Sequence, residues 1–365
     1  MGSLPQAKTK IPRLKLLSAK KEQYPIGLDI GSHAIKICQV AKSGDTFKLL
    51  SLGSAKLPEG AVEDGILQEP EEVVRTITYL INNLKIKEKK VAISISGYSV
   101  IVKKINLAVM EEKALDEYIQ TEVGQYIPFD IEDVYLDYQD LHTNTEDYDR
   151  TDVMLVAAKK EVVDGYLSLL QSAGLKVVIV DIGGFALENI YDLNYGLGEN
   201  VVLVDIGATK MSINIVSQGI SVLARDVVVG SRQLTDQIQN RFGVTLDEAE
   251  GLKIGYEPVE EKQKDLDEIF ANTCTQWALE LKKAIDLYYT NNPDMALNKI
   301  ILSGGGSRVQ GLDQFFADEI GLQVESLNPF LRIQTDSKNI DQEYLKYIGP
   351  EMAIALGLAI RPSEL

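Results

Sequence analysis

The stretch Leu28-Asp29-Ile30-Gly31-Ser32-His33-Ala34-Ile35-Lys36-Ile37 recurs in outline at Val204-Asp205-Ile206-Gly207-Ala208-Thr209-Lys210-Met211-Ser212-Ile213. Each copy reads as a buried strand ending in Asp, a tight turn made of Gly and a small residue, then a second apolar strand. The entering strands are expected over Ile26 to Ile30 and Val201 to Asp205. The leaving strands are expected over Ile35 to Val40 and Met211 to Val216. A Gly turn lets backbone N–H groups approach an anion closely, because no Cβ stands in the way. An Asp at the end of a strand can hold a hydrated divalent cation. Two such hairpins facing each other would clamp the phosphates of a nucleotide and its metal.

A third segment, Ile300-Ile301-Leu302-Ser303-Gly304-Gly305-Gly306-Ser307-Arg308, runs from an apolar strand into a triple-Gly turn and on toward a helix at Leu312. Taken alone it reads as a flexible loop. Taken in order with the two hairpins, it resembles the phosphate 1, phosphate 2 and adenosine motifs of the actin, Hsp70 and sugar-kinase superfamily. That resemblance implies an α/β, actin-like two-lobed fold.

Between the hairpins the sequence first reads as one lobe. A strand is expected over Phe47 to Leu57, an amphipathic helix from Pro70 through Leu84, and a strand over Val91 to Ser96. Val100 to Leu107 continues as a strand, followed by a helix stopped at Pro128, strands over Val134 to Leu141 and Val153 to Ala158, a helix over Glu161 to Ala173 and a strand over Val177 to Val180. The polar run Thr143 to Asp149 reads as a hairpin loop. An α-β-β-α-β insertion at this point resembles FtsA and its relatives of the PilM family of type IV pilus assembly proteins. Tyr118-Ile119, Glu122, Gln125 to Phe129, Asp133-Val134, Asp137-Tyr138 and Phe185-Ala186-Leu187-Glu188 carry the PilM likeness, which runs from about Tyr24 to the C-terminus. Gly183-Gly184 departs from it, as does the N-terminal extension. The expected organisation is a basic tail over 1–23, a first lobe over 24–107, an FtsA/PilM-type inserted subdomain over 108–180, and a second lobe over 181–365. The C-terminal apolar helix around Met352 to Ala359 is expected to return and close the fold.

Composition narrows the function. The chain has 365 residues, 45% of them hydrophobic, enough for two domains of ordinary size. A net charge of −17 argues against general nucleic-acid binding. The two cysteines, Cys38 and Cys274, have no C-x-x-C spacing and read as buried thiols of a reducing cytoplasm. No apolar run approaches the roughly 20 residues of a membrane span. Lys8, Lys10, Arg13, Lys15, Lys20 and Lys21 precede the first acidic residue, with Ile11, Leu14, Leu16 and Leu17 among them. That segment reads either as a solvated tail or as a surface for anionic lipid. His33 and His142 have no metal-ligand pattern, and His33 is expected to face solvent.

Thr245-Leu246-Asp247-Glu248 is a capping box, which starts a helix carrying Glu250 and Lys253 on one face. The long helix over Leu266 to Asn291 has a core stripe that includes Trp277, read as packing. By the superfamily resemblance, Gly31, Ser32 and Lys36 belong to the first phosphate loop, and Gly207, Ala208, Thr209 and Lys210 to the second. Asp29 and Asp205 would hold Mg2+ through water. Gly230, Glu250, Lys253, Gly304, Gly305, Gly306 and Ser307 would surround the adenosine of ATP, with Arg308 stacked on the base. Hydrolysis needs a group that orients the attacking water. The stretch Ser94-Ile95-Ser96-Gly97-Tyr98, read as the first inter-lobe crossing, has no such group, so Asp205 is the catalytic candidate and turnover is expected to be slow.

The PilM resemblance further implies a cytoplasmic scaffold at the inner face of the bacterial inner membrane. Its partner would be the cytoplasmic N-terminal tail of PilN, with PilO reached indirectly and the pilus motor ATPases as further partners. Membrane contact would come through the partner, since the chain stops at Leu365 without the terminal amphipathic helix of FtsA. Tyr126, Ile127, Pro128 and Phe129 are the expected wall of the tail groove, although the same residues would also pack the insertion's own core. Two alternatives remain: a small-molecule kinase of the same superfamily, and an FtsA-like filament.

Overall fold

The computed structural model describes residues 24–141, 149–256, 260–336 and 340–363. The basic segment 1–23, His142 and most of the polar run after it lie outside the described residues.

The chain begins with a meander of β1 (Ile26–Ile30), β2 (Ala34–Ser43) and β3 (Thr46–Lys56), then a two-residue-strand hairpin of β4 (Val62–Glu63) and β5 (Ile66–Leu67). Next come α1 (Pro70–Asn83), with Pro where its missing N–H costs nothing, and β6 (Lys90–Ile95), parallel to β1. The following elements are β7 (Val100–Ala108), α2 (Glu112–Glu122), β8 (Val134–Asp140), β9 (Arg150–Lys159), α3 (Lys160–Ser172), β10 (Lys176–Ile182) and α4 (Gly183–Tyr195). Then β11 (Val201–Ile206), β12 (Met211–Ser217) and β13 (Ile220–Val227) form a second meander, followed by α5 (Arg232–Phe242), α6 (Leu246–Lys253) and α7 (Gln263–Asn291). The chain closes through β14 (Lys299–Ser303), α8 (Leu312–Ile320), β15 (Gln323–Ser326), β16 (Ile333–Gln334) and α9 (Gln342–Ala359).

The two largest sheets among the described residues have the orders β10-β6-β1-β2-β3-β16 and β13-β12-β11-β14-β15. The outer face of the first is covered by α1 and α3 through Val73, Ile77, Val162, Tyr166 and Leu170. The outer face of the second is covered by α5 to α8, with Trp277, Leu281 and Phe316 fully buried. Trp277 is therefore a packing residue, as its place in the helical stripe implied. Between the sheets lie α4 and α9, whose Leu187, Ile190, Met352 and Leu356 share one core with Val40 and Leu49 of the first sheet and Leu203 and Ile301 of the second. This two-lobed α/β architecture is the one the hairpins implied.

The segment expected to form one insertion over 108–180 divides in the structure. A separate three-stranded sheet, β7-β9-β8, carries α2 and has its own core around Ile119, Val123, Leu155 and Ala157. It begins at Val100, where the chain leaves β6 through Gly97 at φ +91°. Helix α3 instead buries its apolar face in the first lobe, and β10 pairs parallel with β6. Local patterning marks α3 and β10 as elements, but it does not tell which of two nearby sheets completes them. Helix α2 also stops earlier than expected, with a 3-10 turn at Val123–Gln125 before Pro128. Helix α9 is longer than its apolar end suggested. It is capped by Asp341, whose side chain accepts from the Glu343 N–H, and it tolerates Pro350 inside it.

Candidate functional site

Both hairpins close in the same way: the Gly31 N–H bonds the Ala34 carbonyl at 3.1 Å, and the Gly207 N–H bonds the Lys210 carbonyl at 2.8 Å. Asp29 lies opposite Lys36 in the β1–β2 register, and the Lys36 Nζ sits 3.1 Å from Asp29 Oδ2. The hairpin tips meet, with Thr209 Oγ1 donating to Ser32 Oγ at 3.0 Å. Ser303 Oγ donates to Asp205 Oδ1 at 3.0 Å. Burial, and then the charge of Asp29, push the Asp205 carboxyl up to about 6. Burial works against the Lys36 ammonium, yet Asp29, Glu351 and Asp205 together hold it charged more firmly than usual. A buried carboxyl made less acidic by a neighbouring carboxylate marks a site short of positive charge.

A cleft of about 520 Å³ opens above these tips. At one end stand Glu250 and Lys253, delivered by α6, whose capping box is formed as the sequence implied. Lys253 Nζ donates to Glu250 Oε1 at 2.7 Å and to Thr235 Oγ1 at 3.0 Å. Burial lowers the affinity of Lys253 for its proton, and Glu250 only partly restores it. Glu250 stays more acidic than usual, because Lys253 and Thr235 outweigh its burial. His33 does not face bulk solvent; it lines this end of the cleft, where burial lowers it and the Glu250 carboxylate draws it back.

The remaining residues expected around adenosine separate into two groups. Gly305, Gly306 and Arg308 line the cleft. Gly304, Ser307 and Gly230 are set behind it as supports. Gly304 has φ +81°, and a Cβ there would lie 2.4 Å from the Ile206 carbonyl oxygen. Ser307 Oγ donates to the Gly304 carbonyl at 2.7 Å. A Cβ on Gly230 would lie 2.3 Å from the Ala208 carbonyl oxygen, so only glycine lets the chain pass behind the second loop. The Arg308 guanidinium is held by Glu351 at 3.0 Å and lies 4.6 Å from the Tyr347 ring centroid. Stacking on a base would therefore compete with an aromatic partner that Arg308 already has.

The far end of the cleft holds what sequence reading missed. The stretch Ser94 to Tyr98 is not the inter-lobe crossing: it leads into β7, and the chain passes to the second lobe where β10 runs into α4, at Ile182 and Gly183. Carboxylates reach the Ser96–Gly97 turn from elsewhere. Asp64 and Gly65 form the tip of the β4–β5 hairpin, both with positive φ, as an Asp-Gly hairpin turn requires. A Cβ on Gly65 would lie 2.5 Å from the Ser96 carbonyl oxygen, and one on Gly97 2.5 Å from that of Asp64. Tyr166 of α3 anchors the tip by donating to the Gly65 carbonyl at 3.0 Å. From the second lobe, Asp226 Oδ2 accepts the Gly97 N–H at 2.7 Å. The Asp-Gly pair between Val62-Glu63 and Ile66-Leu67 is the available signal for the first of these; none marks Asp226.

In the insertion, Ile127 is buried in its own subdomain core, while Pro128 is exposed and Tyr126 and Phe129 are half-buried. The Tyr126 hydroxyl lies 3.2 Å from that of Tyr118. Lys103 and Lys159 lie over the Tyr126 and Phe129 rings, at 5.8 and 5.3 Å from the centroids. This face is thus locally mixed in charge, although the chain as a whole is acidic. Both cysteines are buried and free, and no helix among the described residues is long and apolar enough to cross a membrane.

A family model described as type IV pilus assembly protein PilM matches residues 27–363. A solved structure of a PilM–PilN type IV pilus biogenesis complex has a chain 28% identical to this one, with a TM-score of 0.82, covering 94% of this chain and 100% of that one. The ethanolamine utilization protein EutJ of Carboxydothermus hydrogenoformans is 15% identical, with a TM-score of 0.54 and coverage of 93% and 89%. MreB5 of Spiroplasma citri, solved bound to ADP, is 11% identical, with a TM-score of 0.50 and coverage of 91% and 94%. The last two share the fold alone.

Proposed function

The chain belongs to the PilM family of type IV pilus assembly proteins, and on that premise we propose that it is an actin-like scaffold of the pilus assembly platform that binds ATP with magnesium and docks the N-terminal tail of PilN. The observation that carries the nucleotide reading is the meeting of the two Asp-Ile-Gly hairpins at the floor of the cleft, with Asp205 beside Asp29. These residues fit a hydrated magnesium ion. No cluster of three or more His, Cys, Asp or Glu that could hold a metal directly occurs among the described residues, so the ion would be held by Asp29 and Asp205 through water and by the nucleotide's own phosphates. When bound, it would neutralise phosphate charge. Gly31, Ser32, Gly207, Ala208 and Thr209 would receive the phosphates, and Glu250 and Lys253 the ribose. In this reading Asp205 is committed to Ser303 and the metal, and turnover is slow.

The test is thermal. Stripped of copurified nucleotide, the protein should gain about 2.7 kcal/mol of stability at 100 times the Kd of MgATP. Asp29→Ala and Asp205→Ala should each remove most of that gain while still melting cooperatively. A wild-type melting curve unmoved by millimolar MgATP would sink the site assignment.

The partner reading is supported by the fold's match, over 94% of this chain, to a chain of a PilM–PilN complex. The protein would then sit at the inner face of the inner membrane through that partner. Tyr126→Ala should weaken a PilN tail peptide about tenfold or more, the loss of one well-placed aromatic contact, and leave MgATP affinity unchanged. Calorimetry of both ligands on one folded sample decides it. Unchanged peptide affinity removes Tyr126 from the groove, and loss of both affinities assigns it to packing.

A further inference from the structure

Lys210 belongs to the second hairpin, yet its charge is spent elsewhere. Its ammonium contacts Ser96 Oγ in the first lobe and lies 3.4 Å from Asp226 Oδ2. Asp226 sits in one register row with Ser212 and Asp205 across β13, β12 and β11. Two strand spacings separate the Asp226 and Asp205 backbones, about 10 Å. Asp226 Oδ1 accepts from Ser212 Oγ at 2.6 Å while Oδ2 accepts the Gly97 N–H. Asp64 faces the same cluster: burial raises it, the Tyr98 N–H and Lys210 lower it, and Asp226 raises it. All of these groups line the cleft at the end away from Glu250 and Lys253.

The turn they hold is connected to the insertion. Gly97 and Tyr98 run directly into β7, which pairs along its whole length with β9 in the insertion's sheet. Asp226 lies near the end of β13, so the Gly97–Asp226 bond, together with the Lys210 ammonium that bridges Asp226 to Ser96, ties a strand of the second lobe to the root of the insertion. A lysine ammonium is a compact charge on a flexible stem and can change partners without moving the backbone. A terminal phosphate carries more negative charge than a carboxylate, and it offers three acceptor oxygens where Asp226 offers Lys210 one.

We propose that Lys210 is the residue that distinguishes a nucleoside triphosphate from a diphosphate in this cleft, by leaving Asp226 and Ser96 for the terminal phosphate and so loosening the tie between β13 and the turn that enters β7. The proposal rests on the nucleotide reading above. With a diphosphate, the ammonium stays on Asp226 and the tie holds. With a triphosphate, the Lys210 bridge from Asp226 to Ser96 is lost while Asp226 keeps Ser212 and Gly97 as donors, so the tie weakens without leaving the carboxylate bare.

The experiment uses the full chain, stripped of nucleotide, and titrates MgATP and MgADP by calorimetry into wild type, Lys210→Met and Asp226→Asn. Lys210→Met keeps the stem and removes the charge. It should lower the ratio of ATP to ADP affinity about tenfold, the worth of one charge-assisted bond, with ADP affinity changed by less than about twofold. Asp226→Asn still accepts one hydrogen bond but releases the ammonium, and should raise the same ratio. Hydrogen exchange supplies a readout that does not depend on the variants: wild-type amides over Gly97 to Val102 should exchange faster with MgATP than with MgADP. A ratio unmoved by Lys210→Met, a ratio moved in the same direction by both variants, or equal protection with both nucleotides would overturn the proposal. Binding of neither nucleotide by wild type would instead overturn the nucleotide reading, and this inference with it.

Discussion

Gly357→Ala is expected to cost about 3 kcal/mol of folding stability, a large penalty for one methyl group. The cause is the crossing of α9 and α4 between the two sheets. A Cβ on Gly357 would lie 1.8 Å from the Ala186 carbonyl oxygen and 2.5 Å from its carbon, both backbone atoms of α4. Backbone cannot rotate out of the way as a side chain can. Helix α9 cannot retreat either, because it also rests on β1, where a Cβ on Gly27 would lie 1.8 Å from the Ala355 carbonyl oxygen. The helix is wedged, with glycine at each point of contact, and the core it shares with both sheets is closely packed. Gly165→Ala is the control. It lies within α3, and nothing stands within 4 Å of the place its Cβ would occupy. There alanine should gain about 0.5–1 kcal/mol from helix propensity. Urea unfolding of both variants measures the contrast; equal midpoints would mean that α4 and α9 do not cross as closely as described.

That wedge also marks the limit of what a sequence reveals. The hairpins at Asp29 and Asp205 are legible because each is made of consecutive residues whose period-two pattern and Gly turn are local. The capping box of α6 is legible for the same reason, and so is the buried stripe of α7. Gly27 and Gly357 lie 330 positions apart in the chain, and neither stands in a turn that would advertise a need for glycine. The site divides along the same line. Residues inside a motif, such as Gly31 and Gly207, fall where the motif places them. Asp64, Asp226 and Ser96 converge only after three separate elements have folded, so the turn at Gly97 looked bare of carboxylates. The superfamily resemblance places Arg308 on a base, while Tyr347 and Glu351, nearly forty residues or more away, hold it in space. The edges of the inserted sheet are not legible in the sequence either. The pairing of β10 with β6 is decided by which sheet has a free edge, a property of the assembled fold.

Glu188→Gln is expected to make the protein more stable at pH 8, by up to about 3 kcal/mol, and to change little at pH 4.5. Glu188 projects from α4, where burial pushes its carboxyl up to about 7; Asn214 works against that rise, and the charges of Asp192 and Asp181 add to it. Its hydrogen-bond donor is weak, the Asn214 Nδ2 at 3.5 Å. The sign follows from proton uptake. Between the ordinary glutamate value of 4.5 and the folded value of about 7, the unfolded chain has lost the proton that the folded protein keeps. The stability this group contributes is therefore complete below about pH 4.5, is lost as pH rises through 7, and stays lost above. Glutamine has the shape of the protonated acid and cannot ionise, so it escapes the loss and still accepts from Asn214. Asp64, Asp181 and Asp205 are raised as well, so the wild-type pH profile alone cannot isolate Glu188. The difference between variant and wild type does, because groups not coupled to Glu188, such as Asp64 and Asp205, cancel in it. Urea unfolding at pH 4.5, 6 and 8 should give a difference that grows with pH and levels off above 7. Parallel profiles for the two proteins would show that Glu188 is already ionised and solvated in the fold, and that the space between the sheets beside Asn214 is open to water.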